Sequence, residues 1–229
     1  MRCRTPLFAL LALALSLPAT GCGSSDGTSG TVEAKINGEG DPQVGAKAEG
    51  KTRPARQSGD PLHPIVEVHT SAGVITLKLD AENAPGTVRN FLNYVNSSHY
   101  DDTIFHYVDQ GAMILGGGFT PALEMKPTQM PIRNEAHNGV KNKAGTVAIS
   151  HTFGLLDSGT CQFFINLKDN PALDHQGEDA ETYGYCVFGE VTSGLDVAEQ
   201  IASADVEQSG EFVNLPKERV VIKTVKFIR

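Results

Sequence analysis

Tryptophan is absent from this chain, while glycine and proline are plentiful at 24 and 12 of 229 residues. That balance favours strands and turns over a helical bundle. An excess of positive charge is also missing: 19 Lys+Arg stand against 27 Asp+Glu, a formal charge of −8 with a pI near 5.3. A general nucleic-acid binder, which normally shows a basic face, is thereby excluded. Cysteine occurs only four times, with no CxxC or Cys/His spacing that suggests a metal site. Gly116-Gly117-Gly118 lacks the Lys-Ser/Thr of a phosphate-binding loop and reads as a tight strand exit. Ser150-His151 has neither an acidic partner nor a nucleophile-elbow motif, so it is no sign of a catalytic triad. No internal repeat is found. What is present, 40% hydrophobic and 20% charged residues, suffices for a real core and excludes a wholly disordered chain.

Those averages blend three unlike segments. Arg2 and Arg4 precede an apolar run from Leu7 to Leu17 in which only Ser16 is polar. The run is too short to cross a bilayer core, which needs about 20 residues, and reads as a secretory signal peptide over residues 1–21. It ends Pro18-Ala19-Thr20-Gly21-Cys22, which resembles the bacterial lipobox, with Ala19 where Leu is usual. Cys22 is therefore expected to be lipidated and to anchor the protein to a membrane without spanning it. Ordinary export is the plainer alternative. Residues 22–61 then read as a tether, since Gly23–Gly30 is linker-like and Asp41–Pro61 has Val44 as its only large aliphatic side chain. Val32–Asn37 is compatible with an isolated strand. Cleavage would remove Arg2, Arg4 and Cys3 and make the balance still more acidic. Cys161 and Cys186 remain, read as sitting on two separate strands; either they pair or they act as small buried apolar groups.

From residue 62 onward the pattern changes to strands. Ile65–Thr70 alternates, Ser71-Ala72-Gly73 turns, and Val74–Leu79 returns, which is a hairpin. Pro85 suits a first helical turn, and Val88, Phe91, Leu92 and Val95 follow at helical spacing. Strand-like runs come next at Thr103–Val108, Met113–Gly116, Gly145–Ser150, Gln162–Asn166 and Tyr185–Val191. A second helix is expected at Leu195–Ala202 and a last strand at Val220–Ile228. About eight strands with an early and a late helix suggest a mainly β fold, a closed eight-stranded antiparallel barrel with a helix over each end.

Several of these runs carry a family resemblance. Thr103-Ile104-Phe105-His106-Tyr107-Val108 through Gly116-Gly117-Gly118-Phe119 resembles the central signature of the cyclophilins, the immunophilin-type peptidyl-prolyl isomerases. So do Asn134-Glu135-Ala136, Gly145-Thr146-Val147-Ala148, Gln162-Phe163-Phe164-Ile165-Asn166 and Tyr185-Cys186-Val187-Phe188-Gly189-Glu190-Val191, in the family's order. The resemblance covers about residues 65–229 and is closest to the bacterial branch. It implies the same barrel and a reaction that rotates an X–Pro bond, whose uncatalysed barrier is about 18–20 kcal/mol. Such a site holds the proline ring in an apolar pocket, desolvates the amide and aims donors at it, with no cofactor or metal. By resemblance the pocket floor is Met113, Phe164 and Leu173, Gln162 binds the substrate backbone, and Tyr185 stands where the family has His or Tyr.

Three positions depart from the family. Tyr107 occupies the place of its catalytic arginine, Ala112 that of a pocket Phe, and Leu115 that of a substrate-binding Gln. Tyrosine offers one neutral hydroxyl where arginine offers a fixed fork of charged donors. Losing an aimed donor costs about 10²–10³ in rate. His151 is expected on the pocket rim beside Ser150, either as a solvent-facing loop residue, our working expectation, or as an imidazole that takes over part of the arginine's function. His106 is expected to pack in the core or behind the site. The acidic run at Glu178, Asp179 and Glu181 reads as a solvated loop, with calcium binding the alternative. The functional expectation is a membrane-tethered, monomeric isomerase in a bacterial envelope, acting on proline-containing segments of exported proteins with reduced activity. A non-catalytic module that binds peptide or one partner is the alternative.

Overall fold

A computed structural model describes residues 60–228; the expected signal peptide, Cys22, the strand at 32–37 and nearly all of the tether lie outside the described residues. Ten strands and two helices follow in chain order: β1 Ile65–Thr70, β2 Val74–Leu79, α1 Pro85–Asn96, β3 Thr103–Asp109, β4 Met113–Gly116, β5 Thr146–Ile149, β6 Phe163–Asn166, β7 Val187–Ser193, α2 Leu195–Ala202, β8 Val206–Ser209, β9 Phe212–Pro216 and β10 Val220–Phe227. Eight strands close an antiparallel barrel in the order β1-β10-β3-β4-β6-β5-β7-β2. The expected fold class holds.

Alternation decides the interior. Val66, Val68, Ile75, Leu77 and Leu79 are fully buried while their neighbours along β1 and β2 are not. The helices sit at opposite ends of β2. Gly73, just before the strand, comes so near α2 that an added Cβ would stand 2.8 Å from a Val197 methyl. At the other end, Leu79 leads through a turn into α1. There Phe91 lies 5.1–5.5 Å, centroid to centroid, from Tyr100, Phe163 and Phe188. These tilted and edge-on contacts are the favourable aromatic geometries.

Helix α1 starts with Pro85 at its first turn, and its N-cap residue Ala84 has no side-chain acceptor. Glu135 supplies one from far along the chain. Its Oε1 accepts the Gly86 N–H at 3.0 Å, and its Oε2 accepts the Thr87 N–H and hydroxyl, both at 2.8 Å. A carboxylate at a helix N-terminus meets both the orphan N–H groups and the positive end of the macrodipole. The sequence segment Asn134-Glu135-Ala136 therefore serves the fold.

Several expectations change in detail. The strand expected from Gln162 begins at Phe163, and the one expected from Tyr185 begins at Val187. The Tyr185 N–H is instead taken by the Leu173 carbonyl at 2.9 Å. Neither Cys161 nor Cys186 lies in a strand; each falls just before one. Both are free, buried thiols, and burial pushes them up to about 11 and about 12, so they remain protonated. The hairpin β8–β9 has no counterpart in the sequence reading, because Val206–Ser209 is short and mostly polar. It packs through Phe212 and the fully buried Leu215 against Ile104 and Phe119.

His106 is buried as expected, with its ring 4.7 Å from Phe119 and 6.1 Å from Phe212. Its Nδ1 has no partner, and desolvation holds the ring down to about 4, against 6.5 in an exposed histidine. His99, beside Lys126 and equally buried, is lowered in the same direction by desolvation first and Lys126 second.

Two outcomes follow for stability. Glu135→Ala is expected to cost about 1–3 kcal/mol in chemical denaturation, with Glu135→Gln intermediate; no change would show that α1 does not depend on this cap. For His106 the unfolded chain binds the extra proton more readily than the folded one. Its contribution is complete above pH 6.5 and is lost as the pH falls toward about 4, by about 3 kcal/mol. His106→Leu should flatten much of that slope in a pH series of unfolding free energies, leaving the part due to His99.

Candidate functional site

The candidate site lies on the outside of the barrel, and strand parity puts it there. Consecutive strands β3, β4, β6, β5 and β7 carry one inward row, in which Val108 opposes Ile114, Ile114 opposes Ile165, and Ile165 opposes Val147. All four belong to the main core. One position away is the outward row: Tyr107 opposes Leu115, Leu115 opposes Phe164, Phe164 opposes Ala148, and Ala148 opposes Val187. Directly opposed residues share a face, so this row is one continuous apolar strip.

Met113, two residues before Leu115, extends the strip along β4. Tyr185, Leu173 and Val140 close over it from loops. Leu115, Ala148, Phe164, Tyr185 and Val187 are buried by this arrangement, while Tyr107, Met113 and Leu173 keep part of their surface open. Every expected floor residue is therefore in one cluster. Ala112 is buried in the turn into β4, but its methyl is outside that cluster. Val140, Ala148 and Val187 join it without having been expected; the parity of Ala148 with Ser150 was the signal available for one of them.

The polar groups stand at the margins. Gln162 lies two residues before Phe164, on the same face, and its backbone carbonyl accepts the Ser150 N–H at 2.9 Å. Its side chain lies over Gly118, where an added Cβ would meet Gln162 Cγ at 2.7 Å. The Gln162 amide forms no side-chain hydrogen bond among the described residues and is free to meet a ligand. The Tyr107 hydroxyl is held above the usual tyrosine range, first by desolvation and then by Asp109, with Asn214 of β9 opposing. It is a neutral O–H donor. Burial pushes Tyr185 up to about 12, so it too stays neutral.

His151 is not solvent-facing. It is 7% exposed and stacks on Tyr185 with centroids 4.4 Å apart and planes 24° from parallel. Its Nε2 lies 3.1 Å from the Gly184 carbonyl oxygen and its Nδ1 3.1 Å from that of Thr152. A neutral imidazole donates to one of the two and a protonated one to both. Either way both nitrogens face backbone, and the ring holds Tyr185 edge-on to Phe164, whose centroid is 5.6 Å away. The loop stacking explains the burial that a local reading of Ser150-His151 misses.

The acidic loop is exposed, and Glu178 stands 3.6 Å from His175. Among the described residues no group of three or more His, Cys, Asp or Glu side chains is placed to hold a metal ion. Nor is any described helix long and apolar enough to cross a membrane.

Comparison with known proteins agrees with this geometry. Residues 65–227 match the family described as "Cyclophilin type peptidyl-prolyl cis-trans isomerase/CLD". The chain is 46% identical over 161 residues to peptidyl-prolyl cis-trans isomerase B of Escherichia coli, covering 70% of this chain and 98% of that one. It is 48% identical over 163 residues to peptidyl-prolyl cis-trans isomerase cyp18 of Streptomyces antibioticus, covering 71% and 98%. A cyclophilin of Cryptosporidium parvum, solved in the presence of the dipeptide Ala-Pro, superposes with a TM-score of 0.62 at 21% identity, over 72% of this chain and 99% of that one. With the barrel, the order of the motifs and most of the chain's length in agreement, this protein belongs to the cyclophilin-type peptidyl-prolyl cis-trans isomerases, enzymes that interconvert the isomers of X–Pro bonds.

Proposed function

We propose that the outward strip is the peptide site and that the protein isomerises X–Pro bonds in exported proteins at reduced efficiency. One observation carries this: Met113, Leu115, Phe164 and Leu173 form a single apolar cluster on the barrel's outer face, with the uncommitted amide of Gln162 on the same face. In this reading the proline ring enters between Met113, Phe164 and Leu173. Gln162 hydrogen-bonds the substrate backbone, and Tyr185, held by His151, forms a wall. Ser150 lies at the rim, and Ala112 precedes Met113 with its methyl outside the apolar cluster. No covalent bond is made or broken. The barrier falls because the amide leaves water and loses resonance more readily in an apolar surround.

Tyr107, at the family's arginine position, stands at the edge of the strip and offers a neutral donor. Its hydroxyl stabilises a twisted amide less than a guanidinium does, since it has one neutral donor and no charge. Tyr107→Arg is therefore expected to raise kcat/KM by about 10²-fold in an NMR exchange assay on an X–Pro peptide. An unchanged or lower rate would overturn this role for residue 107. Should wild type show no acceleration while Tyr107→Arg with Ala112→Phe does, the module binds peptide without useful catalysis.

The envelope assignment rests on the sequence of residues 1–22. The mature chain would begin at a lipidated Cys22, and the tether would let the barrel reach clients beyond the bilayer surface. Expressed in a bacterial host, the full chain should partition with membranes, and Cys22→Ala should move it to the soluble envelope fraction. Equal partitioning of both forms would leave ordinary export as the account.

A further inference from the structure

Beneath the site runs a chain of side-chain amides that binding proline does not itself require. Asn170 Nδ2 donates to Asn166 Oδ1 at 2.7 Å. Asn166 Nδ2 donates onward to Asn142 Oδ1 at 3.2 Å and to Thr146 Oγ1 at 2.9 Å. Asn142 Nδ2 donates in turn to the carbonyl oxygens of Leu173 at 3.0 Å and Tyr185 at 3.3 Å. At the other end Asn170 Nδ2 donates to the Ala112 carbonyl at 3.2 Å. The chain therefore ends on the backbone of three site positions in two inter-strand connections: Ala112 between β3 and β4, and Leu173 and Tyr185 between β6 and β7.

Burial makes this arrangement rigid. Asn142 is 2% exposed and Asn166 0%. Each amide has one end that only donates and one that only accepts. Turning Asn142 or Asn166 over would set donor against donor at one neighbour and acceptor against acceptor at the next, and turning Asn170 over would set acceptor against acceptor at both Asn166 and Ala112. All three must therefore point the same way along the chain. In a water-poor setting such linked amides polarise each other and are costly to leave half-satisfied. Backbone contacts brace the same loops: the Asn142 N–H donates to Asp174 Oδ1 at 2.7 Å, the Asn170 N–H to the Asn142 carbonyl at 2.8 Å, and the Leu167 N–H to the Ala112 carbonyl at 2.8 Å.

We infer that the Asn142–Asn166–Asn170 relay positions the walls of the peptide site. It sets the separation between the Leu173–Tyr185 side and the Ala112–Met113 side. Asn142 and Asn170 are positioning residues, since neither belongs to the strip that would touch substrate. The inference rests on reading the outer strip as the peptide site, and the test separates the two.

The experiment is a titration of the uniformly 15N-labelled full-length protein with the tetrapeptide Ala-Ala-Pro-Phe, for wild type, Asn142→Ala, Asn170→Ala and the double variant, with exchange rates measured at saturating peptide. Asn142→Ala is expected to weaken peptide Kd by about 10-fold and Asn170→Ala by about 3-fold, each leaving the saturated rate within about twofold. The double variant should be weaker than either but less than their product, because both cuts interrupt one chain. In the free protein, Asn170→Ala should shift the Tyr185 amide resonance at the far end of the relay. Unchanged Kd, strictly multiplicative losses, or a loss confined to the saturated rate would overturn the inference. If wild-type titration moves none of the Ala112, Leu173 and Tyr185 amides, the reading of the strip as the peptide site fails, while the free-protein shift still decides whether the relay couples its ends. Asn170 is only partly buried, so that arm remains decisive even if Asn142→Ala does not fold.

Discussion

Parity across a closed barrel is the constraint on which the rest depends. On β4, β5 and β6 each residue faces either the core or the outer strip, and adjacent residues take opposite sides. Ile114, Ile165 and Val147 fill the barrel, so Leu115, Phe164 and Ala148 must point out of it. A slip of one residue would exchange the two sets, which closure opposes because every barrel strand is paired on both edges. The outer face is consequently apolar for a reason that has nothing to do with the core. Those residues would expose a hydrophobic patch unless loops partly covered them and left the remainder for a ligand.

Covering the strip falls to polar ties between loops. Tyr185 is fixed from three directions: by its own N–H to the Leu173 carbonyl, by the Asn142 amide on its carbonyl, and by the His151 ring stacked on its face. Elsewhere Glu135 performs a similar service for the N-terminus of α1. The ties from Asn142, His151 and Glu135 join segments far apart in the chain. The site is thus held by rigid strands on its floor and by specific hydrogen bonds at its walls, a division that keeps the geometry of an apolar pocket reproducible.

The three departures from the family pattern fall on one side of this pocket. Tyr107 and Leu115 face each other across β3 and β4, and Ala112 opens β4. Together they replace a charged fork, an amide and an aromatic wall by a neutral hydroxyl and two aliphatic groups. In the proposed reading the side formed by Gln162, Phe164, Leu173 and Tyr185 carries residues of the family's kinds. In that reading, losing the charged fork and one amide removes donors that matter at the twisted geometry while Met113, Phe164 and Leu173 still supply apolar contact, so the site should bind better than it catalyses.

Much of this was legible in the residues alone. Alternation in Ile65–Leu79 and at Val220–Phe227 and Pro85 before a helical repeat were enough for the barrel and its helices, and the family resemblance singled out Met113, Phe164 and Leu173, which share one apolar cluster. Local pattern carries that information because strand period and helix period are properties of neighbours. The hairpin β8–β9 escaped because Val206–Ser209 has no apolar rhythm; its place is set by Phe212 and Leu215 meeting Ile104 and Phe119 from elsewhere. His151 read as exposed because nothing adjacent to it announces Tyr185 or Gly184. Asn142, Asn166 and Asn170 were invisible for the same reason. What the sequence by itself determined is which faces are apolar and which donors are missing. Only the tertiary structure decided which distant polar groups meet, because buried hydrogen bonds are satisfied by partners that closure brings together and not by partners nearby in the chain.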